Sequence, residues 1–212
     1  IMSAFKDHIL RVGLILAAFA IGATSLVVLT EDKTHDKIID NERQTLLNAI
    51  NAVISDGQYD NEILTDTLIL GANKQLGTNE VSTVYRARKD DKPVAVVLTA
   101  IAPNGYNGKI KLLIGIKVDG TLTGVRVIKH KETPGLGDKI DVKKANWILN
   151  FTGLSLSNPD ESRWKVKKDG GDFDQFTGAT ITPRAIVSAV KKALLYFNAN
   201  RDALFAQTET EK

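Results

Sequence analysis

The sequence predicts an α+β fold, with a single N-terminal transmembrane helix followed by an antiparallel sheet domain with packed helices. Three observations lead to this prediction. Residues 12–29 carry no charge, residues 109–118 alternate between apolar and mostly polar positions, and apolar residues recur at helical spacing after residue 182. A period of two indicates a strand, and a period near 3.6 indicates an amphipathic helix.

The first element is the uncharged stretch 12–29, which also lacks proline. As a helix it spans about 27 Å, close to the hydrocarbon thickness of about 30 Å. Two alternatives are a cleaved signal peptide, with 18–20 as its cleavage site, and a buried helix of a soluble protein. The apolar run continues nine residues beyond that cleavage site, which favours a membrane anchor. The flanking Lys and Arg residues give only a slight bias in orientation.

Residues 33–55 show apolar side chains on one helical stripe, which predicts a connecting helix that continues from the anchor and packs on the domain. Asp-Gly at 56–57 is expected to end it. Four strands should follow, with a charged turn between the first two and an Asp-Gly hairpin turn before the last. The predicted strands are 81–88, 93–102, 109–118 and 121–128.

Beyond the strands, we predict a helix over 138–150 and a further strand starting at 164–166. The last helix should begin with Thr182 as its N-cap and Pro183 at its first position. Its apolar stripe consists of Ile186, Val190, Ala193, Leu194 and Phe197. The expected divisions of the chain are an anchor (1–32), a connecting helix (33–56), a main domain (57–200) and a flexible tail (201–212).

Composition excludes several function classes. The chain has no cysteine, so disulfides, thiolate-bound iron–sulfur clusters and cysteine catalysis are excluded. Its three histidines lie far apart in sequence, so no metal site is predicted. The net charge of +3 is modest and not gathered in one block, which argues against nucleic-acid binding. Two locally basic stretches, 126–131 and 163–168, are either solvated surfaces or contacts for a phosphate or an acidic partner.

The most specific signal is the run Asp-Gln-Phe-Thr-Gly-Ala-Thr at residues 174–180, called here the threonine motif. It resembles the flavinylation motif Asp-x-x-(Ser/Thr)-Gly-Ala-Thr, whose last threonine carries FMN through a phosphoester. The small residues Gly178 and Ala179 leave the backbone narrow beside Thr180, and the predicted helix start behind it favours a phosphate. The alternative is an ordinary loop that leads into a helix. The residues that match the motif are Asp174, Thr177, Gly178, Ala179 and Thr180.

A second run, Glu-Thr-Pro-Gly-Leu-Gly at 132–137, is called here the glycine loop. Its glycines and proline make a thin, partly rigid backbone that can lie against a flat ring, or else a plain turn. A third, weaker feature is Tyr106, between two Asn-Gly pairs, which either contacts the same ligand or covers the core. The predicted ligand contacts in these two runs are Thr133, Gly135, Leu136, Gly137 and Tyr106.

Taken together, these motifs and the apolar N-terminal segment resemble the G-subunit family of the Rnf (also called Rsx) electron transport complexes. The resemblance covers nearly the whole chain, including Lys-Pro-Val-Ala-Val-Val at 92–97 and Lys-Lys-Asp-Gly-Gly-Asp-Phe at 167–173. It implies covalent FMN on Thr180, installed by a separate FAD-dependent flavin transferase, and no catalytic residue other than the flavin.

The resemblance also implies location and partners. Members lie in the bacterial inner membrane as single-pass proteins, with a cytoplasmic N-terminus, a periplasmic FMN domain and other Rnf subunits as partners. Each is a redox subunit without a complete activity of its own, in a translocase that couples electron transfer between NADH and ferredoxin to movement of Na+ or H+. Two alternatives remain open: a component similar to the C subunit of the sodium-translocating NADH:quinone oxidoreductase, and a periplasmic binding or assembly module without redox chemistry.

Overall fold

The structure, a computed structural model, describes residues 2–55 and 57–206. The chain divides between Leu46 and Leu47 into two compact units. The first is helical, and the second is a domain with a five-stranded antiparallel sheet and a C-terminal helix. The predicted α+β class is therefore confirmed.

A single long helix, α1 (Met2–Asn51), forms the first unit and continues into the second. Within α1, Leu10–Glu31 is apolar and long enough to cross a membrane. Its 22 residues correspond to about 33 Å of helix. The predicted continuity of anchor and connecting helix is thus confirmed. The helix ends at Asn51, before the predicted end at 56–57.

The sheet is a meander in which each strand pairs with the next along the chain. Its four longer strands, β2 to β5, correspond to the four predicted strands. The first, β1, was not predicted, because four residues are too few to show an alternating pattern. The strands are β1 (Thr67–Leu70), β2 (Ser82–Lys89), β3 (Lys92–Gly105), β4 (Gly108–Lys117) and β5 (Leu122–Lys129).

The tight turns match the sequence signals. Asp90 and Asp91 connect β2 to β3 with positive φ angles of 49° and 58°, which short polar side chains tolerate. Asp119 and Gly120 connect β4 to β5, with Gly120 at φ 89°. The backbone N–H of Thr121 donates to Asp119 Oδ1 at 2.8 Å, and this hydrogen bond lowers the pKa of Asp119.

The two faces of the sheet are covered differently. The final helix, α2 (Ile181–Phe205), packs its predicted apolar stripe against one face, and that stripe is buried. On the other face, Gly115 and Gly124 pair across β4 and β5. A Cβ at either glycine would lie 3.0 Å from the carbonyl oxygen of Val53, so the chain just after α1 lies close against this face. Both faces of the central strands are therefore buried.

Between β5 and α2 the chain has little regular structure, which corrects two predictions. Residues 138–150 form no α-helix; two short 3₁₀ helices, Gly137–Ile140 and Asn146–Phe151, lie there instead. Residues 164–166 begin no strand, and Val166 makes only an isolated bridge to Phe173. Backbone bonds in this segment are mostly local turns, so apolar spacing alone did not determine its conformation.

The end of α2 also differs from the prediction. The helix continues to Phe205, and Leu204 is only 1% exposed. The first part of the expected flexible tail, residues 201–205, is therefore helical, and Leu204 packs in the core. Residues 207–212 lie outside the described residues.

Candidate functional site

Three segments that are distant in sequence meet at one cleft of about 660 Å³. They are the β3–β4 turn, the glycine loop, and the end of the threonine motif with the first turn of α2. Lys168 adds one basic side chain to the wall. The lining residues are Tyr106, Glu132, Thr133, Leu136, Gly137, Lys168, Gly178, Ala179, Thr180, Ile181 and Thr182.

The threonine motif forms a tight turn directly before α2. Ala179 N–H donates to the carbonyl oxygen of Phe176 at 3.1 Å, and Gly178 has φ 81°. That conformation is inexpensive for glycine and strained for other residues. Thr180 follows as the N-cap position of α2, half-buried and with no side-chain capping bond. Its hydroxyl is therefore not used by the helix that it precedes.

The prediction that Thr182 is the N-cap of α2 is wrong. Thr182 lies inside the first turn of α2 and is fully buried. Its hydroxyl donates to Oε2 of Glu132 instead of capping the helix. Pro183 lies one position further, still within the first turn, where its missing N–H has no intrahelical acceptor to lose. The Thr182 hydroxyl therefore makes a tertiary hydrogen bond to Glu132 where the sequence predicted a local helix cap.

Glu132, which we did not predict as a site residue, links all three segments. It is only 5% exposed. Its Oε1 accepts the backbone N–H of Asn107 at 3.1 Å, and its Oε2 accepts the hydroxyl of Thr182. Its own N–H donates to Nδ1 of His130 at 3.1 Å. A charged residue at the start of the glycine loop was the one sequence signal that could have revealed it.

The glycine loop turns back on itself through Thr133, whose carbonyl oxygen accepts the N–H of Leu136 at 3.1 Å. The side chain of Asn107 donates to the Thr133 hydroxyl at 3.0 Å, which ties the loop to the β3–β4 turn. Leu136 is 44% exposed and projects near the threonine motif. A Cβ at Gly178 would lie 3.7 Å from its Cδ2 atom. The two predicted motifs are therefore neighbours.

Tyr106 also lies at this cleft, and its side chain is 67% exposed. It does not cover the core, and its contact with a ligand stays a prediction. With Tyr106, seven of the ten predicted contact residues line the cleft.

Three predicted residues lie outside the cleft lining. Asp174 forms an ion pair with Lys167 at 2.6 Å and accepts the indole N–H of Trp147 on its backbone oxygen at 2.8 Å. Thr177 is exposed on the outside of the turn. Gly135 is exposed at φ 78°, with open space where a Cβ would lie. Asp174 and Thr177 therefore do not form part of the cleft wall.

Basic and acidic side chains both lie around the helix start. Lys168 lies in the cleft wall. Arg184, in the first turn of α2, makes a bidentate pair with Asp169, at 2.6 and 2.8 Å. The hydrogen bonds from Arg184 lower the pKa of Asp169, and the same bonds raise the pKa of Arg184. Of the other lining residues, Lys168 belongs to the basic stretch 163–168, and Ile181 was not indicated by the sequence.

Comparisons with known proteins agree with this geometry. A family model described as FMN-binding domain matches residues 105–195, the range that contains the whole cleft. A second, described as RnfG N-terminal region, matches residues 2–53 and so covers α1.

Three curated relatives are each described as the G subunit of an ion-translocating oxidoreductase complex. The relative from Vibrio atlanticus is 50% identical over 195 residues, which cover 92% of this chain and 93% of the relative. The relative from Pseudoalteromonas atlantica is 49% identical, with 95% and 94% covered, and that from Shewanella baltica is 48% identical, with 95% of each covered. The family resemblance is confirmed: this chain belongs to the G-subunit family of ion-translocating oxidoreductase complexes.

Proposed function

We propose that this chain is an electron-transfer subunit of an Rnf complex and carries FMN covalently, through the flavin phosphate, on Thr180. The observation that carries the proposal is the position of Thr180. It is the half-buried last residue of the threonine motif, it opens α2, and it lines the cleft together with the glycine loop and Tyr106.

The cleft suits a flavin in size and in chemistry. Its volume of about 660 Å³ falls within the usual range for small-molecule sites, about 300–1,000 Å³. Apolar surface at the mouth of the cleft comes from the exposed ring of Tyr106 and the exposed aliphatic side chains of Leu136 and Ile181. Aromatic and aliphatic groups of this kind pack against flat ring systems. The residues present therefore fit FMN.

The phosphate end of the ligand would lie at the start of α2. The first N–H groups of a helix lack intrahelical acceptors, and the helix dipole favours an anion there. Lys168 adds a positive charge in the cleft wall. Thr180 offers a hydroxyl with no capping bond, so a phosphoester at that oxygen breaks no helix cap.

When bound, FMN supplies the electron transfer, and the chain supplies position and surroundings. Thr180 would hold the ligand so that it cannot dissociate. The glycine loop and Tyr106 would hold it in the cleft, and Lys168 would balance the phosphate charge. As a redox subunit, the chain would exchange electrons with other subunits of the complex, in a reaction between NADH and ferredoxin that drives Na+ or H+ movement.

We further propose that Leu10–Glu31 crosses the bacterial inner membrane once, with the N-terminus in the cytoplasm and the FMN domain in the periplasm. The apolar length of this segment and the family membership support the proposal. Protease added outside spheroplasts should digest the domain. Digestion only in inverted vesicles would reverse the orientation.

Intact mass of the full chain, expressed together with a flavin transferase, tests the covalent bond. The wild-type mass should exceed the sequence mass by one FMN less one water. Thr180→Ala should lose that increment completely and stay folded, because the half-buried hydroxyl makes no capping bond. Thr152→Ala, an exposed threonine outside the cleft, is the matched control and should keep the increment.

Two other results would count against the proposal. An increment that persists in Thr180→Ala would move the attachment elsewhere. A colourless wild-type protein at the sequence mass, despite an active transferase, would favour a binding or assembly module without redox chemistry. In a host without the transferase, the protein should lack FMN, because the family resemblance assigns the attachment reaction to that separate enzyme.

A further inference from the structure

We propose that Glu132 is a positioning residue, which holds the start of α2 through the hydroxyl of Thr182 and thereby fixes Thr180 beside the glycine loop. The inference rests on the proposed function, since it concerns how the FMN-bearing threonine is presented. It assigns different tasks to two threonines in one helical turn. Thr182 anchors the helix start, and Thr180 keeps its hydroxyl available for attachment.

The first support is the burial of Glu132 together with its complete set of partners. A buried carboxylate is costly unless its oxygens accept hydrogen bonds. Here one oxygen accepts the Asn107 N–H at 3.1 Å and the other accepts the hydroxyl of the fully buried Thr182. Bonds to a charged acceptor are stronger than neutral ones, so this link is a strong polar connection between the glycine loop and the helix start.

The second support is the space left for the carboxylate. A Cβ at Gly137 would lie 2.6 Å from Oε2 of Glu132 and 2.9 Å from the Thr182 hydroxyl. A Cβ at Gly105 would lie 2.4 Å from the backbone oxygen of Gly108 and 2.8 Å from Oε1 of Glu132. The lack of a side chain at both glycines therefore leaves room for the carboxylate. Neither residue shows a φ in the left-handed region, so close approach, rather than backbone conformation, is what these two positions demand.

The third support is the absence of a local cap on α2. Ser, Thr, Asp or Asn at an N-cap usually accepts a backbone N–H of the first turn. Thr180 occupies that position without such a bond. A capping bond would hold its hydroxyl against the helix and away from an attacking position. Because Glu132 binds Thr182 instead, the helix start is fixed two residues further on and the Thr180 hydroxyl remains available.

The competing explanation is that this link only stabilises the fold. Four variants separate the two explanations. Thr182→Val removes the hydroxyl at nearly constant volume, Thr182→Ser keeps it, and Glu132→Gln keeps one acceptor oxygen. Thr78→Val is the matched control. Thr78 is also a buried threonine, its hydroxyl accepts the N–H of Asn73 at 3.1 Å, and it lies outside the cleft.

The experiment uses the full chain with purified flavin transferase and FAD. In this transfer the threonine oxygen would bond to the FMN phosphorus, the pyrophosphate bond of FAD would break, and AMP would leave. The rate of FMN attachment is followed by intact mass, and the melting temperature is measured for each variant. We expect Thr182→Val to attach FMN about tenfold more slowly, because the lost bond involves a charged acceptor and a misplaced nucleophile reacts slowly. Thr182→Ser should keep at least about half of the wild-type rate. Thr78→Val should lower the melting temperature without slowing attachment.

Three results would overturn the inference. One is wild-type attachment rates in Thr182→Val. Another is an equal loss of rate in Thr182→Val and Thr78→Val, which would show that only stability matters. If Thr182→Val does not fold, Glu132→Gln and Thr182→Ser carry the test. Glu132→Gln should then attach FMN more slowly than Thr182→Ser, and equal attachment rates in the two variants would count against the link. A wild-type chain that never gains FMN would instead overturn the proposed function, and this inference with it.

Discussion

The β2–β5 meander and the segment between β5 and α2 are built on different principles. In the meander, neighbouring strands pair along most of their length and the central strands bury apolar side chains on both faces. The segment at 130–180 has only short 3₁₀ helices and isolated bridges. A cluster of aromatic rings holds it together instead: Trp147, Phe151, Trp164, Phe173 and Phe176.

The meander therefore acts as the supporting scaffold, whereas the irregular segment forms most of the cleft. A repeating ladder resists deformation but offers few unusual conformations. The irregular segment supplies the left-handed backbone at Gly178, the buried carboxylate of Glu132 and most of the cleft wall. Binding residues on loops over a rigid scaffold are a common arrangement. Changes in the meander should therefore act through unfolding, whereas changes in the irregular segment should also act on the cleft.

The largest expected effects come from one core substitution in each region. Ile114→Ala in β4 should lower the free energy of unfolding by about 2–5 kcal/mol, and Phe151→Ala by about 3–5 kcal/mol, because both side chains are fully buried. Phe151 stacks on Phe173 at 4.9 Å, close to the threonine motif. Urea unfolding in detergent, followed by circular dichroism, measures the loss.

The contrast lies in the flavin content of the molecules that remain folded. Ile114→Ala should leave FMN attachment per folded molecule unchanged, whereas Phe151→Ala should reduce it, because the aromatic cluster supports the turn before Thr180. Equal flavin content in the two folded variants would show that the regions do not differ in this way.

A smaller effect compares two glycines of one loop. At Gly137 an added Cβ would lie 2.6 Å from Glu132 Oε2, so Gly137→Ala should displace the carboxylate and reduce FMN attachment several-fold. At Gly135, with φ 78° and open space, Gly135→Ala meets only backbone strain, about 1–2 kcal/mol. The FMN content of the two variants is measured by intact mass and by the flavin absorption spectrum. A larger loss of FMN in Gly135→Ala than in Gly137→Ala would contradict the steric explanation.

The smallest effect concerns the exposed pair of Asp169 and Arg184. The pKa of Asp169 lies below its ordinary value of 3.8 because Arg184 donates hydrogen bonds to it. A carboxylate with a depressed pKa stabilises the folded state at neutral pH, and this contribution disappears as the pH falls below 3.8. Asp169→Asn should thus lower the melting temperature slightly at pH 7, and the difference should shrink as the pH falls below 3.8 toward the lower pKa of the folded state. A difference that grows on acidification would have the wrong sign.

The two regions also differ in how far the sequence predicted them. The four long strands were predicted because alternation is a local signal, and the apolar stripe of α2 was predicted for the same reason. The 3₁₀ helices were not, because their apolar residues pack as an aromatic cluster with no fixed period. Of the site, the motif residues Thr133, Thr180 and Tyr106 were predicted to contact one ligand, and the structure brings them to one cleft.

The sequence could not predict which distant residues contact one another in the folded chain. Thr182 followed the pattern of a helix cap, yet its hydroxyl binds Glu132, fifty residues earlier in the chain. Lys168 was part of a basic stretch whose role stayed open between a solvated surface and a phosphate contact. Its place in the cleft wall favours the second. Both outcomes depend on how the irregular segment folds back on α2.

Peptide mapping tests the assignment of Thr180 most directly. Trypsin cleaves after Lys168 and Arg184, and the peptide 169–184 contains Thr177, Thr180 and Thr182. Thr177 is exposed, Thr182 is buried against Glu132, and Thr180 alone is half-buried in the cleft with no capping bond. Fragmentation of this peptide from the flavinylated full chain should place the FMN mass on Thr180. A flavin mass on Thr177 or Thr182, or an unmodified peptide from yellow protein, would contradict the assignment.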